Sequence, residues 1–208
     1  TGQAMPSAES SYRTHLSQQS PLLAAALEAA IPADPTLDDS ASGLARQLCF
    51  EPAWLGDWEV RPPFSETRRS MLDHGVRQAA LATEVWTDKA VEDLLPAWFN
   101  PKHFGQLLIT ADVGLSFVSD EEVEAVEAYG PKYAFDYDRH PEFGYTMATA
   151  ASNLSDVSSR ALACAIGRHH MIQARHAYGL EWHEMRQAQA GVDTNQVDLM
   201  ISMQKPFD

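Results

Sequence analysis

The apolar residues of this chain recur at the spacing of an α-helix, and this pattern constrains the fold more than any other feature of the sequence. In residues 68–84, RRSMLDHGVRQAALATE, they return every three or four positions. One helical face results, made of Met71, Leu72, Val76, Ala79, Ala80 and Ala82. Alternation of β-branched residues, the pattern of a half-buried strand, nowhere extends beyond four residues. The sequence therefore predicts an all-α fold.

The first twenty residues differ in composition from the rest of the chain. Residues 1–20 are polar and rich in Ser and Gln, and such segments lose more conformational entropy on ordering than they recover unless they dock on a partner. We therefore expect a flexible N-terminal arm over residues 1–20 and a single compact helical domain over residues 21–208. Ser20 is expected to cap the first helix of the domain, with Pro21 at its first position.

Helical patterns and breakers divide the domain further. Helices are expected over residues 21–30, 37–49, 65–84, 88–99, 101–117 and 119–129, and the tail 197–208 is either a helix or an arm that docks on a neighbouring subunit. Two segments rich in aromatic residues and proline, 50–64 and 130–146, suit no regular element. They either pack over the helical core or form a lid over a pocket or a subunit contact.

The charge of the chain limits the partners that it is expected to bind. A formal net charge of −14, from 15 basic and 29 acidic residues, repels phosphate backbones and anionic lipids, so we expect neither nucleic acid nor a membrane as a partner. We expect neither a membrane span nor a secretory signal, because no 18-residue apolar run occurs and residues 1–10, TGQAMPSAES, lack a basic end followed by an apolar core. The cysteines, Cys49 and Cys164, lie far apart and are expected to be reduced, which favours a cytoplasmic location.

Four of the eight histidines lie in one stretch, Ser158–Gln189. We expect Ser155 or Asp156 to cap a helix that continues to Tyr178, with Gly179 separating it from a short helix over residues 181–190. The four histidines are His169, His170, His176 and His183. His169 and His176 are seven residues apart and would share one helical face. This stretch is therefore the expected location of any chemistry.

Acid–base catalysis is one chemistry that these residues could carry, because histidine titrates near neutrality and can transfer protons. His169, His170 and His176 are the candidate acids and bases, with Glu181 or Glu184 orienting an imidazole. Cys164 becomes a reactive thiolate if an imidazolium reaches it. Otherwise it is a small buried hydrophobe.

Two other hypotheses use the same histidines. A transition metal could be bound in a metal-dependent oxygenase or hydrolase, with His170, His176, His183 and Glu181 as candidate ligands and His74 or Asp73 supplied from another element. The compact patterns HExxH, ExxH and HxxxH are absent. Alternatively, the histidines lie at a subunit interface of a non-catalytic ligand-binding or assembly protein. Nucleotide-dependent and serine-hydrolase chemistry are disfavoured, since GxGxxG, P-loop and GxSxG motifs are missing.

Two blocks of the chain resemble the carboxymuconolactone decarboxylase-like, or AhpD-like, proteins. Residues 65–117, SETRRSMLDHGVRQAALATEVWTDKAVEDLLPAWFNPKHFGQLLITADVGLSF, are similar to the second half of that family. Residues 176–185, HAYGLEWHEM, resemble its helix–Gly-Leu turn. The CxxC of the family's peroxidases is absent. The resemblance implies an all-α fold, a cofactor-free acid–base site between helices, a small organic acid or lactone as substrate, and a homo-oligomer.

Overall fold

The structure, a computed structural model, describes residues 7–50, 66–86, 88–89, 93–113, 151–169 and 180–207. Within these residues there are α-helices and short 3-10 helices and no β-strand, so the all-α prediction is confirmed. The α-helices are α1 (Ala8–Gln19), α2 (Pro21–Ala30), α3 (Ser40–Phe50), α4 (Glu66–Trp86), α5 (Pro101–Thr110), α6 (Val157–Arg168), α7 (Leu180–Gln189) and α8 (Thr194–Gln204). The 3-10 helices are Pro35–Leu37, Ala151–Asn153 and Lys205–Phe207.

The helices pack around α4 and α5. Helix α4 contacts both α2 and α5, α5 contacts α6, and α6 in turn contacts α7 and α8. The buried apolar side chains of α2, α4, α5, α6 and α8 form one continuous core. Their burial stabilises the fold because it removes apolar surface from water. In the part of the chain that the structure describes, no helix has both the length and the apolar character that crossing a membrane requires.

The N-terminal segment is ordered where we expected an arm. Residues 8–19 form α1, and Ser7 caps it by accepting a hydrogen bond from the N–H of Ser10. Tyr12 and Leu16 are fully buried, and the Tyr12 hydroxyl donates to Asp73 of α4. The prediction of a flexible arm is therefore wrong for these residues, because two large side chains on one helical face are enough to hold α1 on the core.

Other predicted elements agree with the structure to different degrees. Helix α2 begins at Pro21 with Ser20 as its cap, as expected. The helix predicted over 88–99 is wrong in its second half, since residues 93–100 form turns. The tail is helical as far as Gln204. The two aromatic segments and the acidic helix fall outside the described residues, apart from Phe50.

Candidate functional site

The site begins where α4 crosses α5 at very close range. A Cβ atom built on Gly75 would lie 2.7 Å from the carbonyl oxygen of Leu108 and 2.8 Å from Cα of Ile109. Only glycine leaves room for the backbone of α5 at this point. The crossing therefore holds the His74 side of α4 against the end of α5, where the chain turns at Asp112.

Asp112 lies between two histidines from different helices. Its Oδ1 is 3.4 Å from Nε2 of His169, which directly follows α6, and its Oδ2 is 3.8 Å from Nε2 of His74 on α4. The Asp112 side chain is only 10% exposed. A carboxylate this buried requires polar or cationic partners. The arrangement therefore joins three elements, α4, the end of α5 and the end of α6, through one carboxylate.

The two imidazoles of this cluster differ in their access to solvent. The side chain of His169 is 1% exposed, whereas that of His74 is 47% exposed. Nδ1 of His169 lies 2.6 Å from the carbonyl oxygen of Ile166. Because a carbonyl oxygen can only accept, Nδ1 carries a proton, and Nε2 faces Asp112. A buried imidazole, a carboxylate and a solvent-exposed imidazole thus follow one another.

Gln78 completes the cluster on α4. Its Nε2 lies 2.8 Å from Nε2 of His74, one helical turn away. The other amide atom, Oε1, is buried and has no hydrogen-bond partner among the residues that the structure describes. Rotating the amide by 180° would place Oε1 on His74 instead, where it would accept a hydrogen bond from the ring N–H. Gln78 can therefore pair with either tautomer of His74.

The structure brings together only some of the predicted site residues. His169 is in the cluster, while His170 and His176 lie outside the described residues. Cys164 is buried in α6, and this burial raises the pKa of its thiol to about 12. The thiol is therefore protonated near neutral pH, which supports the interpretation of Cys164 as a small buried hydrophobe rather than a nucleophile.

The candidate site residues on α7 differ in their exposure to solvent. His183 is buried and its ring meets that of Trp182 edge to face at 4.9 Å. Glu181 and Glu184 are both exposed on the same helix. His169 and His183 are both buried within the single chain.

A third buried histidine, His103, was missed by sequence reasoning. Nδ1 of His103 shares a hydrogen bond of 2.8 Å with the hydroxyl of Ser158, which also accepts from the N–H of Asn100 at 3.1 Å. Asp156 caps α6 through the N–H and hydroxyl of Ser159, at 2.8 and 2.7 Å. Ser158 and Ser159 are both buried. This group connects the start of α5 to the start of α6 and therefore has a structural role. The signal for it in the sequence is the capping residue Asp156.

The predicted metal ligands lie only partly in the described part of the chain. No group of three or more His, Cys, Asp and Glu side chains there is arranged to hold a metal ion. Of the four predicted ligands, only Glu181 and His183 belong to that part, and Glu181 is exposed whereas His183 is buried.

No protein-family model matches this chain, and neither does any curated protein or solved structure. These comparisons therefore neither support nor oppose the resemblance to the AhpD-like proteins.

Proposed function

We propose that the protein is an acid–base enzyme of the carboxymuconolactone decarboxylase-like type, acting on a small organic acid or lactone. His169 transfers the proton, Asp112 orients and stabilises its imidazolium form, and His74 connects the pair to solvent. The observation that carries this proposal is the position of Asp112, with one carboxylate oxygen toward each imidazole.

The chemistry of the cluster fits proton transfer better than covalent catalysis. A positioned imidazole contributes about 10²- to 10⁴-fold to reactions limited by proton transfer. The carbonyl of Ile166 fixes the tautomer of His169, and Asp112 can balance the positive charge on Nε2 after it takes up a proton. The neighbouring thiol of Cys164 is held protonated by its burial.

The proposal can be tested without knowledge of the natural substrate. The protein is incubated in D₂O with a panel of carboxylated lactones and β-keto acids, and exchange of the C–H bonds next to the carbonyl is followed by NMR. We expect exchange with wild-type protein, a loss of about 100-fold in His169→Gln, and a smaller loss in His74→Gln, because solvent can partly replace the outer imidazole.

Two controls make this result specific. His103→Gln removes a different buried histidine, in the group that ties α5 to α6, and is expected to retain the exchange rate. Wild-type exchange in His169→Gln would refute the proposal, and an inert panel would reject this substrate class. Dialysis against a chelator distinguishes proton transfer by histidine from metal catalysis. Loss of the exchange rate after dialysis would contradict a cofactor-free site.

A further inference from the structure

An apolar groove lies among α2, α4 and the start of α5, and none of its lining residues belongs to the histidine cluster. Its volume is about 310 Å³. Small side chains create the space, because Ala26 and Ala30 of α2 and Gly105 of α5 line it. Trp86 of α4 forms an aromatic side of the groove. The position of Gly105 is central, since a Cβ added there would lie 3.9 Å from the Ala30 methyl and 4.0 Å from the Trp86 ring.

The volume and lining of the groove indicate the size and character of a ligand. An apolar cavity of about 150 Å³ holds a benzene molecule, so a groove of about 310 Å³ has room for about ten non-hydrogen atoms. This volume falls at the lower end of the range for small-molecule pockets, which are mostly apolar with a few polar groups that fix orientation. The hydroxyl of Thr83, which also lines the groove, already donates to the carbonyl of Ala79.

Lys102 is the charged residue that lines the groove. Its Nζ lies 3.4 Å from Oδ2 of Asp39, and the side chain of Asp39 is 47% exposed. This is a long ion pair of the kind that solvent weakens. An ammonium group has three donors, so Lys102 can bind a further anion at the edge of an otherwise apolar surface. Lys102 can therefore contact the carboxylate of a ligand at the rim, in competition with Asp39.

We propose that this groove binds a small carboxylate with an apolar body of about eight carbons. The hydrocarbon lies against Trp86 and the alanines of α2, and the carboxylate lies on the ammonium of Lys102. This binding site is separate from the proposed proton transfer at His169, and it does not depend on that proposal.

Calorimetric titration of the full chain with octanoate and with 1-octanol tests the proposal. Octanoate has ten non-hydrogen atoms, and we expect a Kd on the order of 0.1 to 1 mM for a ligand of this size. The alcohol has the same chain without the charge and is expected to bind more weakly. In Lys102→Gln, octanoate should bind about fivefold more weakly, while the affinity for 1-octanol stays the same.

Two glycines of the chain offer a matched test of the groove itself. Gly105→Ala adds a methyl group within the groove, whereas Gly43→Ala adds one in α3 where no atom lies within 4 Å. Both variants gain helix propensity, so neither should lower the melting temperature. We expect the Kd for octanoate to rise about fourfold in Gly105→Ala and to stay unchanged in Gly43→Ala.

Several results would overturn the proposal. If octanoate at millimolar concentrations releases no heat on mixing with the protein, the groove does not bind it. If wild-type protein and Gly105→Ala bind octanoate with equal affinity, the ligand binds elsewhere on the protein. Equal affinities for octanoate and 1-octanol contradict the role of Lys102. If sedimentation shows a wild-type dimer that dissociates in Gly105→Ala, the groove is a contact between two copies of the chain instead.

Discussion

Burial shifts the pKa values of Cys164 and His103 in opposite directions. It raises the pKa of Cys164 to about 12, which keeps the thiol neutral within the apolar part of α6. It lowers the pKa of His103, where the charges of Asp156 and Asp39 oppose the effect and that of Lys102 adds to it. Both shifts favour the uncharged form, as expected for groups removed from water.

The shift at His103 predicts how stability depends on pH. The histidine of the unfolded chain has a pKa of about 6.5, so as the pH falls below that value the unfolded state takes up the proton first and the folded state loses stability. His103→Gln lacks this contribution. Urea unfolding at about pH 7.5 and about pH 5.5 should therefore show a smaller loss of stability on acidification in the variant than in wild-type protein.

Glutamine is a suitable replacement at this position, because its amide can still hydrogen-bond the hydroxyl of Ser158 that His103 contacts. The comparison therefore removes the titrating group and keeps a polar partner for the serine. An identical pH dependence of the two proteins would show that His103 takes up its proton as readily in the folded state as in the unfolded one.

The residues of the site could be predicted from the sequence only in part. His169 was found because four histidines lie close together along the chain, and His74 was considered as a residue from another element. Asp112 gave no signal, since it stands in the unremarkable run Thr110-Ala-Asp-Val113. Its importance depends on where α5 ends and on the helices that pack there. The local sequence pattern around Asp112 indicates neither of these.

At the scale of the elements, the crossing of α4 and α5 depends on one missing side chain. Gly75 allows the two helices to approach until the position of its absent Cβ is 2.7 Å from a backbone oxygen of α5. Backbone atoms cannot move aside as the end of a flexible side chain can. Because His74 is adjacent to Gly75 and Asp112 is close to the end of α5, the same contact that packs the helices also sets the geometry of the site.

Gly75→Ala should therefore destabilise the protein even though alanine is the better helix former. We expect a loss of about 2 to 3 kcal/mol in the free energy of unfolding, from overpacking against the backbone. Gly43→Ala makes the same chemical change in α3 with nothing within 4 Å and should gain about 0.5 to 1 kcal/mol. Urea unfolding measures both. A Gly75→Ala variant as stable as Gly43→Ala would mean that the helices are not in such close contact.

At the scale of the whole molecule, α1 is bound to the rest of the fold by both apolar and polar contacts. Leu16 is buried, and Tyr12 donates a hydrogen bond of 2.8 Å to Asp73. Burial, followed by the hydrogen bond to Asp73, raises the pKa of Tyr12 far above its ordinary value, so the phenol remains a donor. Arg46 of α3 adds an ion pair with Glu9 of α1. The first helix is therefore part of the folded domain.

Limited proteolysis tests whether α1 is held by its buried face. Trypsin cleavage after Arg13, whose side chain is 16% exposed, should be slow in wild-type protein. In Leu16→Ala we expect faster cleavage, because the loss of a buried leucine costs about 2 to 5 kcal/mol. Leu22→Ala removes a leucine that is 51% exposed and should be cleaved at the wild-type rate. Rapid cleavage of wild-type protein would mean that α1 is not docked.

The fold class was predictable because helical periodicity is a property of local sequence. Helix α2 was also predicted to the residue from the cap at Ser20 and the position of Pro21. Helix α1 was not, because its polar composition hides the two side chains, Tyr12 and Leu16, that anchor it. Whether such a segment docks depends on a surface formed by α2, α3 and α4, which becomes known only when those helices are assembled.

The carboxylate between His74 and His169 also has a consequence for synthesis. The three residues come from distant parts of the chain, and α6 and His169 emerge from the ribosome long after α4 and α5. The proton transfer that we propose for His169 therefore requires that α6 has been synthesised and has packed against α5.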